Sequence, residues 1–337
     1  MSEMAYWLPL VWAGVLVFAV IFYVIADGFD LGVGILFPTA PAEQDRDRMM
    51  NSIAPFWDGN ETWLVLGGGG LFLAFPKAYA AIAPALYLPL IVMLLALIFR
   101  GVAFEFRFLA KPRHRKWDLA FWLGSTVATF CQGLVLGGFV QGISVGPDLQ
   151  YAGGAFDWLT PFALLCGAAL IAGYALLGAG WLMMKGEGDV ARRAQTQARA
   201  ALIAVLVFAA AVSVWTPTAF DRIAVRWFSF PNLLFLWPIP FVSALLAVLV
   251  WFGIKRGSGV QTFLASIGLF LLCFLGLGVS LFPYVVPPSV TLWQAAAVPE
   301  SQIFSLIGTL IMMPIILAYI AFSYWLFRGK TAEHGYH

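Results

Sequence analysis

The chain has 337 residues, 62% of them hydrophobic and only 11% charged, with a net charge of +2 and a mean hydropathy of +0.89. Soluble domains carry about 25% charged residues, and no soluble interior can hide this much apolar surface, so the surplus must face lipid. The basic residues form short clusters between apolar runs, which excludes a basic nucleic-acid-binding face.

A spanning helix needs about 20 mostly apolar residues. Nine such stretches are predicted, at 8–36, 54–74, 78–108, 118–143, 160–184, 199–216, 238–255, 261–285 and 301–327. The expected fold is therefore all-α: one integral membrane domain over 1–337 with nine transmembrane helices. Two four-helix units are expected, 1–150 and 151–290, the first carrying an acidic cluster. A peripheral ninth helix and its tail fill 291–337. The N-terminus has Glu3 and no Lys or Arg before the first apolar run, so it does not read as a cleavable signal. The polar segment 41–53 reads as a short interfacial helix or loop, and the third span is long enough to project beyond the bilayer. In the first span Tyr23 is followed by small residues and glycines and then by a basic segment, an order that recurs faintly around Tyr174–Arg199, too weakly to establish a duplication.

Basic residues set the orientation. With the N-terminus outside, inner segments hold Arg46, Arg48, Arg107, Lys111, Arg113, Arg115, Lys116, Lys185, Arg192, Arg193, Arg199, Lys255, Arg256, Arg328 and Lys330, fifteen of the nineteen. Lys77, Arg222 and Arg226 fall outside, and Arg100 lies within a span. A periplasmic N-terminus and a cytoplasmic C-terminus follow, which requires an odd number of spans.

The first three spans carry Asp27, Asp30, Asp58, Glu61, Arg100 and Glu105. Such charges cost about 2.5–3.5 kcal/mol each at mid-helix and ask for a reason. Asp27 and Asp30 are three apart and share a helix face, and Asp58 and Glu61 repeat that spacing. In this topology all six lie toward the cytoplasmic end. Five carboxylates face one guanidinium, unless Arg107 also reaches in, so some of them must hold protons. That is the requirement for a proton path from the inner face. The structural alternative is that Asp58 caps a helix and that acid–arginine pairs bind helices together.

No histidine lies in a span: His114 is in a basic loop, and His334 and His337 are in the tail. Membrane haem proteins draw axial histidines from their helices, so no haem ligation by histidine and no metal site are expected. Met93, Met183, Met184, Met312 and Met313 read as packing, as do Cys131, Cys166 and Cys273, which lack CxxC spacing. The run Gly67–Gly70 offers either a flat surface for a partner helix or ring-shaped cofactor, or close packing within the chain. Trp57 and Trp63 flank the second acidic pair and read as interfacial anchors or as the edge of a haem or quinone site.

The segments ADGFDLGVGILFP (26–38), FWDGNETWLVLGGGGLFLAFPKAYA (56–80) and FRGVAFEFR (99–107) resemble subunit II of the cytochrome bd-type quinol oxidases, including the cyanide-insensitive branch. The resemblance covers essentially the whole chain. It implies a bacterial inner-membrane complex with a larger subunit I, in which quinol is oxidised and dioxygen reduced to water without proton pumping. It implies haem b and haem d shared at the interface with subunit I, with no axial ligand from this chain. It also allows a structural quinone and small single-span accessory subunits. Asp27 or Asp30, and Asp58, with Arg100 beside them, are similar to the acids proposed for the proton path in that family. The alternatives are a proton-coupled secondary transporter, which uses midplane acids and broken helices, and a purely structural assembly subunit.

Overall fold

A computed structural model describes residues 3–110 and 114–331. Lys111, Arg113, His334 and His337 lie outside the described residues. Helix α1 (Glu3–Leu36) leads through a short 3-10 turn to α2 (Glu43–Asn51), α3 (Trp57–Ala74), α4 (Pro76–Ala85), α5 (Tyr87–Leu109) and α6 (Arg115–Gln141). The chain continues through α7 (Pro161–Lys185), α8 (Gly188–Ala219), α9 (Asp221–Phe228), α10 (Asn232–Leu236), α11 (Pro238–Arg256) and α12 (Gly259–Leu281). A two-stranded antiparallel hairpin of β1 (Tyr284–Val286) and β2 (Val290–Thr291) pairs Tyr284 with Thr291 and Val286 with Val290. Helices α13 (Leu292–Ala295) and α14 (Pro299–Leu326) follow.

Among the described residues, eight helices are long and apolar enough to cross a membrane. The second expected span falls on α3, which meets the length but whose first turns carry Asp58, Asn60, Glu61 and Thr62. The third expected span, 78–108, is not one helix: it breaks at Leu86 into α4 and α5. Pro84 and Pro89 bracket the break. Pro89 has no N–H to give the carbonyl four residues back, so the ladder cannot run through. The polar 41–53 segment does form a helix, α2. The apolar stretch expected at 199–216 is the inner part of α8, which runs for 32 residues.

Helix α1 is the hub, packing on α3, α6, α7 and α14, while α5 pairs with α6, α7 with α8 and α12, and α11 with α12. Lipid tails give apolar side chains no reason to prefer each other, so close backbone packing carries helix association in a bilayer. The α1–α7 crossing meets that requirement with two glycines: a Cβ on Gly32 would lie 1.9 Å from the Tyr174 carbonyl oxygen, and one on Gly178 would lie 2.3 Å from the Gly32 carbonyl carbon. Around this crossing every residue of 26–34 on α1 is buried. The opposite extreme is α14, which packs on α1 and α3 and exposes Phe304, Leu310, Ile311, Ile315, Tyr319 and Phe322.

Candidate functional site: a buried acid–guanidinium cluster

The buried stretch of α1 carries Asp27 and Asp30, and α5 brings Arg100 against them; all three have no exposed surface. Arg100 Nη2 lies 2.8 Å from Asp27 Oδ1 and 4.0 Å from Asp30 Oδ2. Helix α6 packs closely against this part of α5, where a Cβ on Gly124 would lie 2.7 Å from the Ala96 carbonyl oxygen and 3.0 Å from the Arg100 backbone nitrogen. Asn60, on α3, donates from Nδ2 to Asp30 Oδ2 at 2.8 Å and to the Ala26 carbonyl at 3.4 Å. Its Oδ1 accepts from the Tyr324 hydroxyl of α14 at 3.0 Å. On the other side, Gln132 of α6 donates to the Tyr23 hydroxyl oxygen at 2.7 Å and accepts from the Tyr174 hydroxyl of α7 at 2.8 Å. Tyr23 stands one turn before Asp27 on α1 and touches it.

The cluster is under-supplied. Among the described residues, both Asp27 oxygens, Asp30 Oδ1, and all three Arg100 nitrogens lack an aligned hydrogen-bond partner. Burying charge without full pairing is costly, and two carboxylates against one guanidinium leave an unbalanced negative charge. Taking up one proton restores the balance. Chemically, then, the site can hold a proton and release it.

A graded approach leads to it from α3. Glu61 is half-buried and interacts electrostatically with Arg100, Asp27 and Asp58. Asp58 is exposed in the first turn of that helix. It does not cap: the N-cap is Phe56, with no side-chain cap bond. Glu105 is exposed on the outer face of α5 and stays apart from the cluster. Trp57 stacks on Phe104 at 4.7 Å with 3° between the rings. Trp63 is buried against Phe22 at 4.4 Å, with its indole Nε1 unpartnered. The glycine run serves two faces. Gly67 and Gly70 pack on Val20 and Leu16 of α1, whereas Gly68 and Gly69 look outward with nothing within 4 Å of a would-be Cβ.

Arg107 does not reach the cluster. Fully buried, it binds Asp118 through Nε at 2.6 Å and Asp47 through Nη1 at 2.5 Å. Arg46 holds the second Asp118 oxygen at 3.0 Å and the Ala40 carbonyl at 2.8 Å. Arg193 of α8 binds Asp45 at 2.5 Å. This network clamps α2 onto α6 and α8. His114 sits at its edge, 3.8 Å from Glu43 and 3.9 Å from Asp118. No group of three metal-capable side chains occurs among the described residues. Charge spacing does not point to Tyr23, Asn60, Gln132, Tyr174 and Tyr324 as members of the site; uncharged polar side chains inside apolar spans are the signal for them.

Fold and site define a multi-pass helical membrane protein with an ionisable cluster buried between helices. Residues 8–327 match the cytochrome bd terminal oxidase subunit II family, and the chain belongs to that family. It is 32% identical over 351 residues to the cytochrome bd-I ubiquinol oxidase subunit 2 of Escherichia coli K12, covering 92% of each. It is 30% identical over 326 residues to the cytochrome bd ubiquinol oxidase subunit 2 of Bacillus subtilis 168, covering 91% of this chain and 92% of that one. Among solved structures, the bd oxidase from Geobacillus thermodenitrificans has a chain with the same fold: TM-score 0.76 at 18% identity, covering 95% of this chain and 99% of that one.

Proposed function

We propose that this chain works beside a larger, haem-bearing subunit I in a bacterial inner-membrane quinol oxidase that reduces dioxygen to water without pumping. Its own part is to lead protons from the cytoplasm toward that partner. One observation carries the reading: acids run from exposed Asp58 through half-buried Glu61 to the sealed, under-paired Asp27–Arg100–Asp30 group. In this reading nine spans, α3 counted among them, put the N-terminus outside. The basic ends of α5, α7 and α11, the Arg328 and Lys330 that follow α14, and the basic starts of α6 and α8 support that orientation.

The haems of the complex supply electron transfer and oxygen chemistry when bound. The donor set here suits a chain that holds no axial ligand, since the described histidine, His114, is turned to carboxylates at the clamp. What the residues of this chain do is hold and move protons at carboxyl oxygens. The outward face of α3, with Asp58, Gly68 and Gly69, suits a surface covered by subunit I. A transporter reading is weaker, because among the buried polar side chains α11, α12 and α14 offer only Thr262, Ser266 and Gln302. An assembly-only reading loses its simplest support with the finding that Asp58 does not cap α3.

The test is the purified oxidase complex with Asp58→Asn or Glu61→Gln. Each keeps its haem spectrum while quinol oxidase turnover falls by about tenfold or more, the scale of losing a positioned proton-transfer group. Full turnover in Asp58→Asn overturns the relay. Loss of haem in both variants favours the assembly role.

A further inference from the structure

We propose that Gln132 is a positioning residue for Asp27, acting through Tyr23. Gln132 sits in the apolar middle of α6, where a primary amide is costly unless both its ends are used. Both are. Its oxygen accepts the Tyr174 hydroxyl hydrogen at 2.8 Å and its nitrogen donates to the Tyr23 oxygen at 2.7 Å. The orientation of the amide then sets a direction. A phenol has one hydrogen; Tyr174 spends its hydrogen on the amide oxygen, which turns the amide nitrogen toward Tyr23. With its oxygen occupied by that N–H, Tyr23 keeps its own hydrogen for the nearest buried acceptor. Asp27, one turn further along α1, has two oxygens that lack an aligned partner among the described residues. The chain Tyr174 to Gln132 to Tyr23 to Asp27 is thus a one-way series of donors that ends on the carboxylate paired with Arg100.

The second acid has an arm of the same logic. Tyr324 donates to the Asn60 oxygen, and the Asn60 nitrogen donates to Asp30. In each arm a tyrosine from a neighbouring helix orients an amide, and the amide orders the hydrogen bonding of an acid on α1. A cluster whose charge changes by one proton needs its donors held in place, or the acids would rearrange with each transfer. The inference rests on the proton-path reading for its importance, but the arm itself is tested separately.

The experiment uses the intact oxidase complex and its redox-difference infrared spectrum, with the Asp27 carboxyl band assigned by its loss in Asp27→Asn. Gln132→Met and Tyr23→Phe each displace that band in the same direction and lower turnover by about tenfold, the scale of one hydrogen bond to a charged group. The double variant does no more than either single one, because both break the same series. Tyr174→Phe, which removes one hydroxyl at the far end, gives a smaller displacement in the same direction and covers the case in which Gln132→Met does not assemble. An Asp27 band unmoved in Tyr174→Phe and Gln132→Met overturns the proposal, as does additivity of Gln132→Met with Tyr23→Phe. The opposite amide orientation, with Tyr23 donating to Gln132, predicts that unmoved band. Should Asp27→Asn keep full turnover while the band still shifts, the proton path falls and the positioning role stands.

Discussion

Two arginines, seven residues apart on α5, occupy opposite situations. Arg107 is fully buried yet bound through two of its nitrogens to two carboxylates, with Phe37 and Phe108 rings each 5.4 Å away. Arg100 is equally buried, faces two carboxylates as well, and makes no aligned hydrogen bond with any described residue. The first arrangement is that of a clamp: charges matched, with only Nη2 lacking an aligned partner among the described residues. The second leaves capacity unused, and unused hydrogen-bonding capacity in a dry interior is what a site that must change protonation state requires. Under the proposed proton path, it is the degree of satisfaction, rather than burial or composition, that separates structural charge from working charge.

That contrast can be broken most forcefully at the clamp. Arg107→Leu takes the guanidinium away from Asp47 and from one oxygen of Asp118, and breaking a buried pair costs about 3–5 kcal/mol; the expected outcome is loss of assembled, haem-containing complex on size-exclusion chromatography. Arg100→Met sharpens the comparison from the other side. Its two acids neutralise themselves by taking protons, so the complex assembles with a thermal midpoint closer to the parent than that of Arg107→Leu. Turnover, however, falls by about tenfold or more. If Arg100→Met destabilises as severely as Arg107→Leu, the distinction between clamp and working site is lost.

Smaller effects are expected away from both sites. Lys185, at the end of α7, donates to the Phe327 carbonyl and, at 3.0 Å, to the Gly329 carbonyl, gripping the negative end of α14. Lys185→Met is expected to cost about 1–2 kcal/mol, read as a lower midpoint and faster proteolysis after residue 327. Least of all is the loop between α6 and α7. There the Tyr151 hydroxyl donates to the Gly154 carbonyl at 2.6 Å beside Asp157, and burial together with that carboxylate pushes the phenol up to about 12. A folded-state value above the ordinary 10.0 means that its contribution is intact below pH 10 and is lost as pH rises toward 12. Tyr151→Phe lacks that alkaline step in a pH series of thermal midpoints.

Hydropathy made most of the fold legible, because lipid imposes length and apolarity on each span. It failed where a rule of backbone chemistry competes with hydropathy. The 78–108 stretch carries no charge before Arg100, yet Pro84 and Pro89 divide it at Leu86. The acids of the site were legible as anomalies, since each is expensive in a span. Their partition was not: Asp27 and Asp30 face inward among helices, whereas Asp58 and Glu105 face outward, and spacing within one helix cannot tell which side a neighbour will cover. The tyrosines and amides were invisible for a related reason. Asn60 meets Tyr324 and Gln132 meets Tyr23 and Tyr174 across helices far apart in the chain, and no local pattern announces those contacts.

The hydrogen bond from Tyr324 to Asn60 has a consequence for how the subunit matures. Asp30 is among the first residues to enter the bilayer during synthesis, but the hydroxyl that orients its amide partner arrives on α14, nearly three hundred residues later. Until that helix docks and Lys185 latches its end, the acid pair lacks one of its two ordering arms. A ribosome-bound intermediate cut short before α14 would carry every carboxyl group of the cluster and still lack the hydroxyl that orients Asn60.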